Sequence, residues 1–223
     1  MNKILQDINR AKHIEIEVEE GSLALGSALY SYILTRHKKV SFVCKTKELN
    51  LRYSFLPWFE KIRDTNYSSA DLNLKIENSC VELFKTLKSL NIKINSKIAT
   101  ALYGSLILET ENFTNQKTNG MFFAIASELI ESGADYKSCV EYLVKRVTLS
   151  ELRLKALMLR EMTLKESARV AEFKISEDDL KSSGASLENV KSIMQDSLGL
   201  EYVQKAVLVN EDNKIIKTIE KEI

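Results

Sequence analysis

The strongest constraint on the fold of this chain is a regular alternation of strand and helix patterns along its first half. Residues 13–18 (HIEIEV) alternate polar and apolar side chains, which is the period-two pattern of a strand. Residues 22–36 carry apolar side chains at helical spacing, and residues 39–44 (KVSFVC) and 70–76 (ADLNLKI) again have strand patterns. Strands joined through helices pair in parallel. The sequence therefore predicts an α/β fold with a parallel sheet and helices on both of its faces.

The first strand pattern has polar residues at every second position. Such alternation is typical of a strand with one face in water. We therefore interpret it as an edge strand, or as a strand that has lost a covering element. The glutamates in and just after this strand are Glu15, Glu17, Glu19 and Glu20. They suit either a solvated strand face or a carboxylate cluster at the end of the sheet.

The sequence patterns in the second half of the chain predict a linking helix followed by a smaller lobe. Residues 149–165 contain a long helix pattern rich in charges and leucine, which suits a connection between two lobes. Strand patterns at residues 168–174 and 206–209 then flank a helix that begins at Ser176. The predicted parts are an α/β domain (1–148), a linking helix (149–165) and a truncated α+β lobe (166–223).

Composition narrows the class of protein. Lys and Arg total 32, and Asp and Glu total 31. Because these charges nearly cancel, the chain as a whole has no positive potential that would attract nucleic acid, although a local basic groove is compatible with this balance. The three cysteines, Cys44, Cys80 and Cys139, have no CxxC spacing, which argues against a structural zinc site and fits a reducing cytoplasm. No stretch approaches the roughly 20 apolar residues of a membrane span, so we expect no membrane partner.

Two histidines, His13 and His37, are all that the chain contains. A metal site would therefore rest mainly on carboxylates. The chain also has only 7 glycines, the residue that phosphate-handling enzymes commonly use where backbone approaches a ligand. For both histidines we predict an ordinary surface or capping role.

Several segments resemble the DHH family of phosphoesterases. Residues 101–135 (ALYGSLILETENFTNQKTNGMFFAIASELIESGAD) are similar to the family segment ALYTGIxTDTGxF and the helix that follows it. Residues 25–45 resemble the helix and strand after the family's first metal motif, and residues 175–209 resemble the start of its associated substrate-binding domain. The nano-RNase, pAp-phosphatase and RecJ-like members are the most similar. The resemblance implies a DHH-type fold and a metal-dependent hydrolase, with two divalent metals, usually manganese, held by Asp and His.

When the family's metal-ligand positions are carried over to this sequence residue by residue, however, most of the ligands are missing. The first motif, His-x-x-Pro-Asp-x-Asp, meets EVEEGSLALGS, so its two Asp positions fall on Gly21 and Leu23 in one register and on Glu19 and Gly21 in the other. The Asp-His-His motif has no counterpart, since no histidine follows His37. The Asp of TDTG is replaced by Glu109. The second lobe lacks the family's Gly-Gly-Gly-His motif.

Four residues remain as site candidates: Glu109 and Glu19 as metal ligands, and Ser27 and Thr110 as substrate contacts. Glu binds metal, but its extra methylene moves the oxygens by more than about 1 Å relative to Asp, and sites of this kind tolerate little misplacement. A solvated carboxylate at a helix end is the alternative for Glu109. The hydroxyls of Ser27 and Thr110 suit a phosphate contact, although each signal is weak on its own.

Three functions stay open at this point. The first is a catalytically degenerate relative, without a cofactor, that binds a nucleotide, a short oligonucleotide or a protein partner, including a second copy of itself. The second is an active phosphoesterase that hydrolyses pAp or short oligonucleotides with manganese or magnesium, since an all-carboxylate site favours hard metals. The third is a trimmed or redesigned chain with no native function.

Overall fold

The computed structural model describes residues 2–46, 48–67, 69–76, 79–210, 212 and 214–221. The chain divides into two compact units, Met1–Arg146 and Val147–Ile223. The helices of the first unit are α1 (Asn2–Arg10), α2 (Leu23–Thr35), α3 (Cys80–Ser89), α4 (Ser96–Glu109), α5 (Gly120–Glu131) and α6 (Tyr136–Val140), which continues as a π-helical turn (Glu141–Lys145). Its strands are β1 (His13–Glu17), β2 (Lys39–Val43), β3 (Ile62–Arg63) and β4 (Leu72–Lys75). No helix in these described ranges is long and apolar enough to cross a membrane.

The sheet of the first unit is entirely parallel, with the strand order β3-β2-β1-β4. The predicted α/β fold with a parallel sheet is therefore confirmed. β1 lies between β2 and β4, so the prediction of an edge strand was wrong. The polar side chains of β1 contact polar groups of the same unit: His13 and Glu15 are buried, and Glu17 is partly buried at the end of the strand.

One face of this sheet is apolar and carries the core. The register aligns Ile14 with Val40 and Ile16 with Phe42, so these side chains share one face. α2 packs against this face so closely that a Cβ atom on Gly26 would lie 2.7 Å from the Phe42 ring. A helix can approach the sheet this closely only at a residue without a side chain.

The other face is polar, and a covering segment, residues 64–71, lies against it. Glu15, which is 2% exposed, accepts hydrogen bonds from Asn66 Nδ2 at 2.7 Å and from the Tyr67 backbone N–H at 2.5 Å. Ser68 lies outside the described residues. From the sequence we expect helices on both faces; next to β1, this segment takes the place of a helix on the polar face.

His13 joins the same polar layer from the start of β1. Its Nε2 lies 2.7 Å from Ser41 Oγ on β2, and its Nδ1 lies 3.1 Å from Ser69 Oγ of the covering segment. Both carboxylate oxygens of Asp71 accept backbone hydrogen bonds, from Lys12 and from His13. His13 is buried and fully hydrogen-bonded, so it has a structural role.

The aromatic stretch between β2 and β4 forms no α-helix, although residues 55–62, with Pro57 near their start, have a sequence typical of a short one. Two short 3-10 turns, Leu51–Tyr53 and Phe59–Lys61, lie there instead. Trp58 between them has a left-handed backbone with φ 67°, which ends any helix that begins at Pro57. Tyr53 is buried, and the neighbouring aromatic side chains pack against the core of the first unit.

The second unit contains a mixed sheet. Its elements are α7 (Leu149–Glu161), β5 (Thr163–Lys165), β6 (Val170–Lys174), α8 (Glu177–Ser183), α9 (Leu187–Ser197), β7 (Lys205–Val209) and β8 (Ile215–Glu220). The strand order is β5-β6-β7-β8, with β6 and β7 parallel and both outer pairs antiparallel. α7 ends at Glu161 and buries Leu154 and Met158 in the core of this unit.

β8 is an outer strand of this sheet with two irregular features. A bulge interrupts its pairing with β7 at Leu208 and Val209. Lys217 lies opposite Leu208 and is exposed, so the outer strand carries a charged side chain within its paired length. Bulges and lysines on outer strands hinder pairing with a further strand.

Candidate functional site

A crevice lies at the end of the parallel sheet where ligands of α/β proteins commonly bind. From β1 the chain builds β2 and β3 on one side and then β4 on the other, so the strand order reverses between β1 and β4. In open α/β sheets, ligands bind beyond the carboxyl ends of the strands at such a switch point. Here that position holds a cavity of about 640 Å³. The polar residues lining this switch-point crevice include Glu17, Glu19, Glu20, Ser22, Lys45, Thr46 and Lys75.

Glu17, at the end of β1, is held by its neighbours. Its Oε2 accepts a hydrogen bond from Asn66 at 3.0 Å, and its Oε1 lies 3.0 Å from Lys45 Nζ. The hydrogen bonds from Asn66 and Lys45, with the nearby charge of Lys75, lower the pKa of the Glu17 carboxyl. Glu17 is therefore ionised at neutral pH, and both of its oxygens are already paired.

Glu19 and Glu20 follow β1 and differ in their contacts. The Glu20 carboxylate accepts a hydrogen bond from the Asn50 backbone N–H at 2.7 Å. The backbone carbonyl of Glu19 accepts a hydrogen bond from the Ser22 N–H at 2.9 Å, while the residue itself is exposed. Glu19, one of the predicted metal ligands, thus lines the switch-point crevice with an exposed side chain.

Glu109, the other predicted metal ligand, lies at the end of α4 and faces the start of α3. Its Oε2 accepts a hydrogen bond from the Cys80 backbone N–H at 2.9 Å. The first turn of a helix has free N–H groups and a positive dipole end, so a carboxylate there is stabilising. Burial raises the pKa of the Cys80 thiol, and the Glu109 charge raises it further. The Glu109 carboxylate therefore caps α3 beside a thiol that stays protonated.

The structure does not bring Glu19 and Glu109 into one cavity. Glu109 lines a separate cavity of about 350 Å³ together with the three serines Ser22, Ser79 and Ser105. Ser22 also lines the switch-point crevice, so the two cavities are neighbours. Across the described ranges, no group of three or more His, Cys, Asp or Glu residues is placed to hold a metal ion. This donor set does not fit a two-metal centre.

The two predicted substrate contacts are both buried, and their hydroxyls already make hydrogen bonds. Ser27 is fully buried in α2 and donates to the Pro57 carbonyl at 2.6 Å. Thr110 is also fully buried; its Oγ1 donates to the Leu106 carbonyl and accepts from the Phe113 N–H. In this structure neither hydroxyl faces a cavity that a phosphate enters.

A larger cavity of about 760 Å³ lies in the second unit, at the starts of β6 and β7 and the end of β8. Its charged lining residues are Glu166, Arg169, Glu201, Lys205, Glu220 and Lys221. Acidic and basic side chains are equal in number there, and the cavity adjoins the amino ends of the parallel strands. The general position of ligand sites in parallel sheets therefore favours the switch-point crevice.

Comparisons with known proteins bear on the fold alone. No family model matches the sequence, and no curated protein matches it. An exopolyphosphatase-related protein from Bacteroides fragilis has a similar structure, with a TM-score of 0.76 and 13% sequence identity over 95% of this chain and 79% of that one. This chain therefore has the same fold as that protein. A candidate family II inorganic pyrophosphatase from Methanococcus jannaschii aligns with a TM-score of only 0.35 and 11% identity over 89% of this chain and 83% of that one.

This shared fold agrees with the family resemblance at the level of architecture. At 13% identity the likeness does not distinguish nano-RNase relatives from pAp-phosphatase relatives. Sequence reasoning missed Lys45 and Lys75, the two cations of the crevice. Each of them stands at or just after the end of a strand pattern, and the carboxyl ends of parallel strands meet at one edge. That position was the available signal.

Proposed function

We propose that this chain is a phosphoesterase-like protein without hydrolytic activity, which binds a nucleotide or short oligonucleotide in the switch-point crevice. A protein partner is the other class of ligand that this degenerate scaffold suits. The three buried, unpaired cysteines support a reducing compartment such as the cytoplasm.

The observation that carries this proposal is the separate structural use of the carboxylates near the sheet end. Glu15 is bound by the covering segment, Glu17 by Lys45 and Asn66, and Glu109 by the start of α3. A carboxylate that ligates a metal needs a free oxygen aimed at a point shared with other ligands. Instead, Asn66 Nδ2 donates to both Glu15 and Glu17, and the Cys80 N–H donates to Glu109, so local hydrogen bonds occupy these carboxylates.

The test is hydrolysis of pAp and of a short oligonucleotide by purified protein, with added manganese and with chelator. We expect no turnover in either condition and no rise in melting temperature on adding manganese or magnesium. Glu109→Gln keeps an oxygen for the Cys80 N–H, so we expect ligand binding to match that of the unaltered protein. Binding is measured by isothermal titration in chelator.

The alternative is an active metal-dependent phosphoesterase, and the shared position of Ser22 between the two cavities is the observation that favours it. In that case Glu19 and Glu109 would approach one another around manganese or magnesium. Metal-dependent turnover that disappears in Glu109→Gln would establish this alternative and overturn the proposal.

A further inference from the structure

The switch-point crevice contains two ammonium groups where the family resemblance leads one to expect metal ions. Lys75 ends β4 and lies in register with Glu17, while Lys45 follows β2 and pairs with the same carboxylate. In a parallel pair, residues in register project from the same face. Lys75, Glu17 and Lys45 therefore form a row across the end of the sheet, with a net charge of one positive unit.

We propose that this row binds a singly charged phosphodiester group without a metal, an inference that rests on the proposed binding function. Glu17 acts as a positioning residue, because it holds Lys45 in place. Lys75 lowers the pKa of Glu17 by its charge but takes no part in the hydrogen bonds to that carboxylate. Its three N–H donors therefore suit an incoming oxyanion. The hydroxyls of Ser22 and Thr46 line the same crevice and supply neutral donors.

Two further carboxylates in the lining oppose an anion to different degrees. Glu20 directs one oxygen to the Asn50 N–H, at 2.7 Å. Glu19 is exposed and has the charge that repels a phosphodiester most directly. The sign of a Glu19 effect therefore distinguishes an anion site from a metal site. If Glu19 faces a bound anion, its neutralisation strengthens binding; if Glu19 holds a metal, its neutralisation weakens binding.

The probe is a thymidine dinucleotide with one phosphodiester, compared with its uncharged methylphosphonate analogue. Affinity is measured by nuclear magnetic resonance titration at low salt, in the presence of chelator and again with added magnesium. We expect the phosphodiester to bind more tightly than the methylphosphonate, and added salt to weaken only the charged probe. Lys75 is exposed, so Lys75→Met is expected to leave the fold intact and to lower affinity about tenfold.

Two further variants complete the design. Glu19→Gln is expected to raise affinity for the phosphodiester severalfold. Lys85→Met, on the exposed side of α3, is the matched control and should leave affinity unchanged. Equal affinity for the two probes, an unchanged affinity in Lys75→Met, or weaker binding in Glu19→Gln would each overturn the lysine-based site.

The failure of this inference is separable from that of the proposed function. The same samples are assayed for cleavage of the dinucleotide after manganese is added. Cleavage would overturn the proposed function whatever the lysine variants do. Absence of cleavage, together with an affinity that Lys75→Met leaves unchanged, would overturn the anion site but not the proposed absence of hydrolytic activity.

Discussion

At the scale of single residues, the polar layer on the sheet is held by carboxylates that accept backbone hydrogen bonds. Asp71 uses one oxygen for the Lys12 N–H at 2.9 Å and the other for the His13 N–H at 2.7 Å. These two bonds lower the pKa of the Asp71 carboxyl below its ordinary value of 3.8. A carboxyl with a lowered pKa stabilises the folded chain in its ionised form.

Asp71→Asn is therefore expected to lower the free energy of unfolding at neutral pH, because the amide has one acceptor oxygen in place of two. The contribution of Asp71 is fully present above its ordinary pKa of 3.8 and is lost as the pH falls through the lower folded-state value. The difference in free energy of unfolding between Asp71→Asn and the unaltered protein should therefore become smaller in acid. Urea unfolding at a series of pH values measures this difference.

Asp64→Asn serves as the control, since Asp64 is an exposed residue of the same covering segment. It should match the unaltered protein at every pH. A gap between Asp71→Asn and the unaltered protein that stays constant into acid would contradict the assignment of stabilising charge to Asp71.

Residue types in the site were easier to predict than their partners. The sequence identified Glu19 and Glu109 as the carboxylates nearest to the family's metal positions, and both lie near the carboxyl end of the sheet. Their separate surroundings were not predictable, because the partner of Glu109 is Cys80, 29 positions earlier. Ser27 likewise meets Pro57 only through the tertiary fold, 30 positions later.

At the scale of elements, the contact between α2 and the sheet depends on one small residue. A Cβ atom on Gly26 would lie 2.7 Å from the Phe42 ring and 2.9 Å from Val18 Cγ1. Both neighbours are buried, so neither side chain has room to move aside without displacing others.

Gly26→Ala should therefore destabilise the protein although alanine favours helix. Overpacking of a core costs about 1–3 kcal/mol, whereas the gain in helix propensity is about 1 kcal/mol or less. We expect a net loss of about 1–2 kcal/mol in the free energy of unfolding. Gly120→Ala, in the first turn of α5 with no atom within 4 Å of an added Cβ, is the matched control and should cause no loss. Equal stability of the two variants would contradict the close packing of α2.

The elements themselves were largely predictable from period and capping. Helices α3, α4 and α5 begin after Ser79, Asn95 and Asn119, whose side chains accept hydrogen bonds from the first turn. The position of β1 was not predictable, since its polar face is buried by residues more than 50 positions later. The covering segment has no periodic pattern of its own, and so gives no local signal.

At the scale of the whole molecule, the outer strand β8 is the place where we expect a second copy to pair, if copies associate. Its exposed Ile215 and Ile216 would favour pairing with another strand, while the bulge at Leu208 and Val209 and the charge of the exposed Lys217 oppose it. Replacing Lys217 by an apolar residue removes one of these two obstacles. Whether the chain self-associates at high concentration is therefore expected to depend on these opposing features.

Lys217→Ile is accordingly expected to produce concentration-dependent self-association, measured by sedimentation velocity. Lys191→Ile, which adds the same side chain to an exposed position of α9, controls for added hydrophobic surface alone. Equal association of the two variants would show that the outer strand is not the point of contact.

The covering segment has a consequence for how much chain such a sheet requires. A crossover that includes a helix takes at least about 10–12 residues and must bury an apolar stripe of its own. Here residues 64–71 cover the middle of the sheet through hydrogen bonds to the Glu15 carboxylate, to the His13 ring and, through the Asp71 carboxylate, to the backbone N–H groups of Lys12 and His13. A parallel sheet covered in this way buries less apolar area and has hydrogen-bonded polar groups in its place. A compact α/β architecture is thereby attainable with one helical layer fewer next to its central strand.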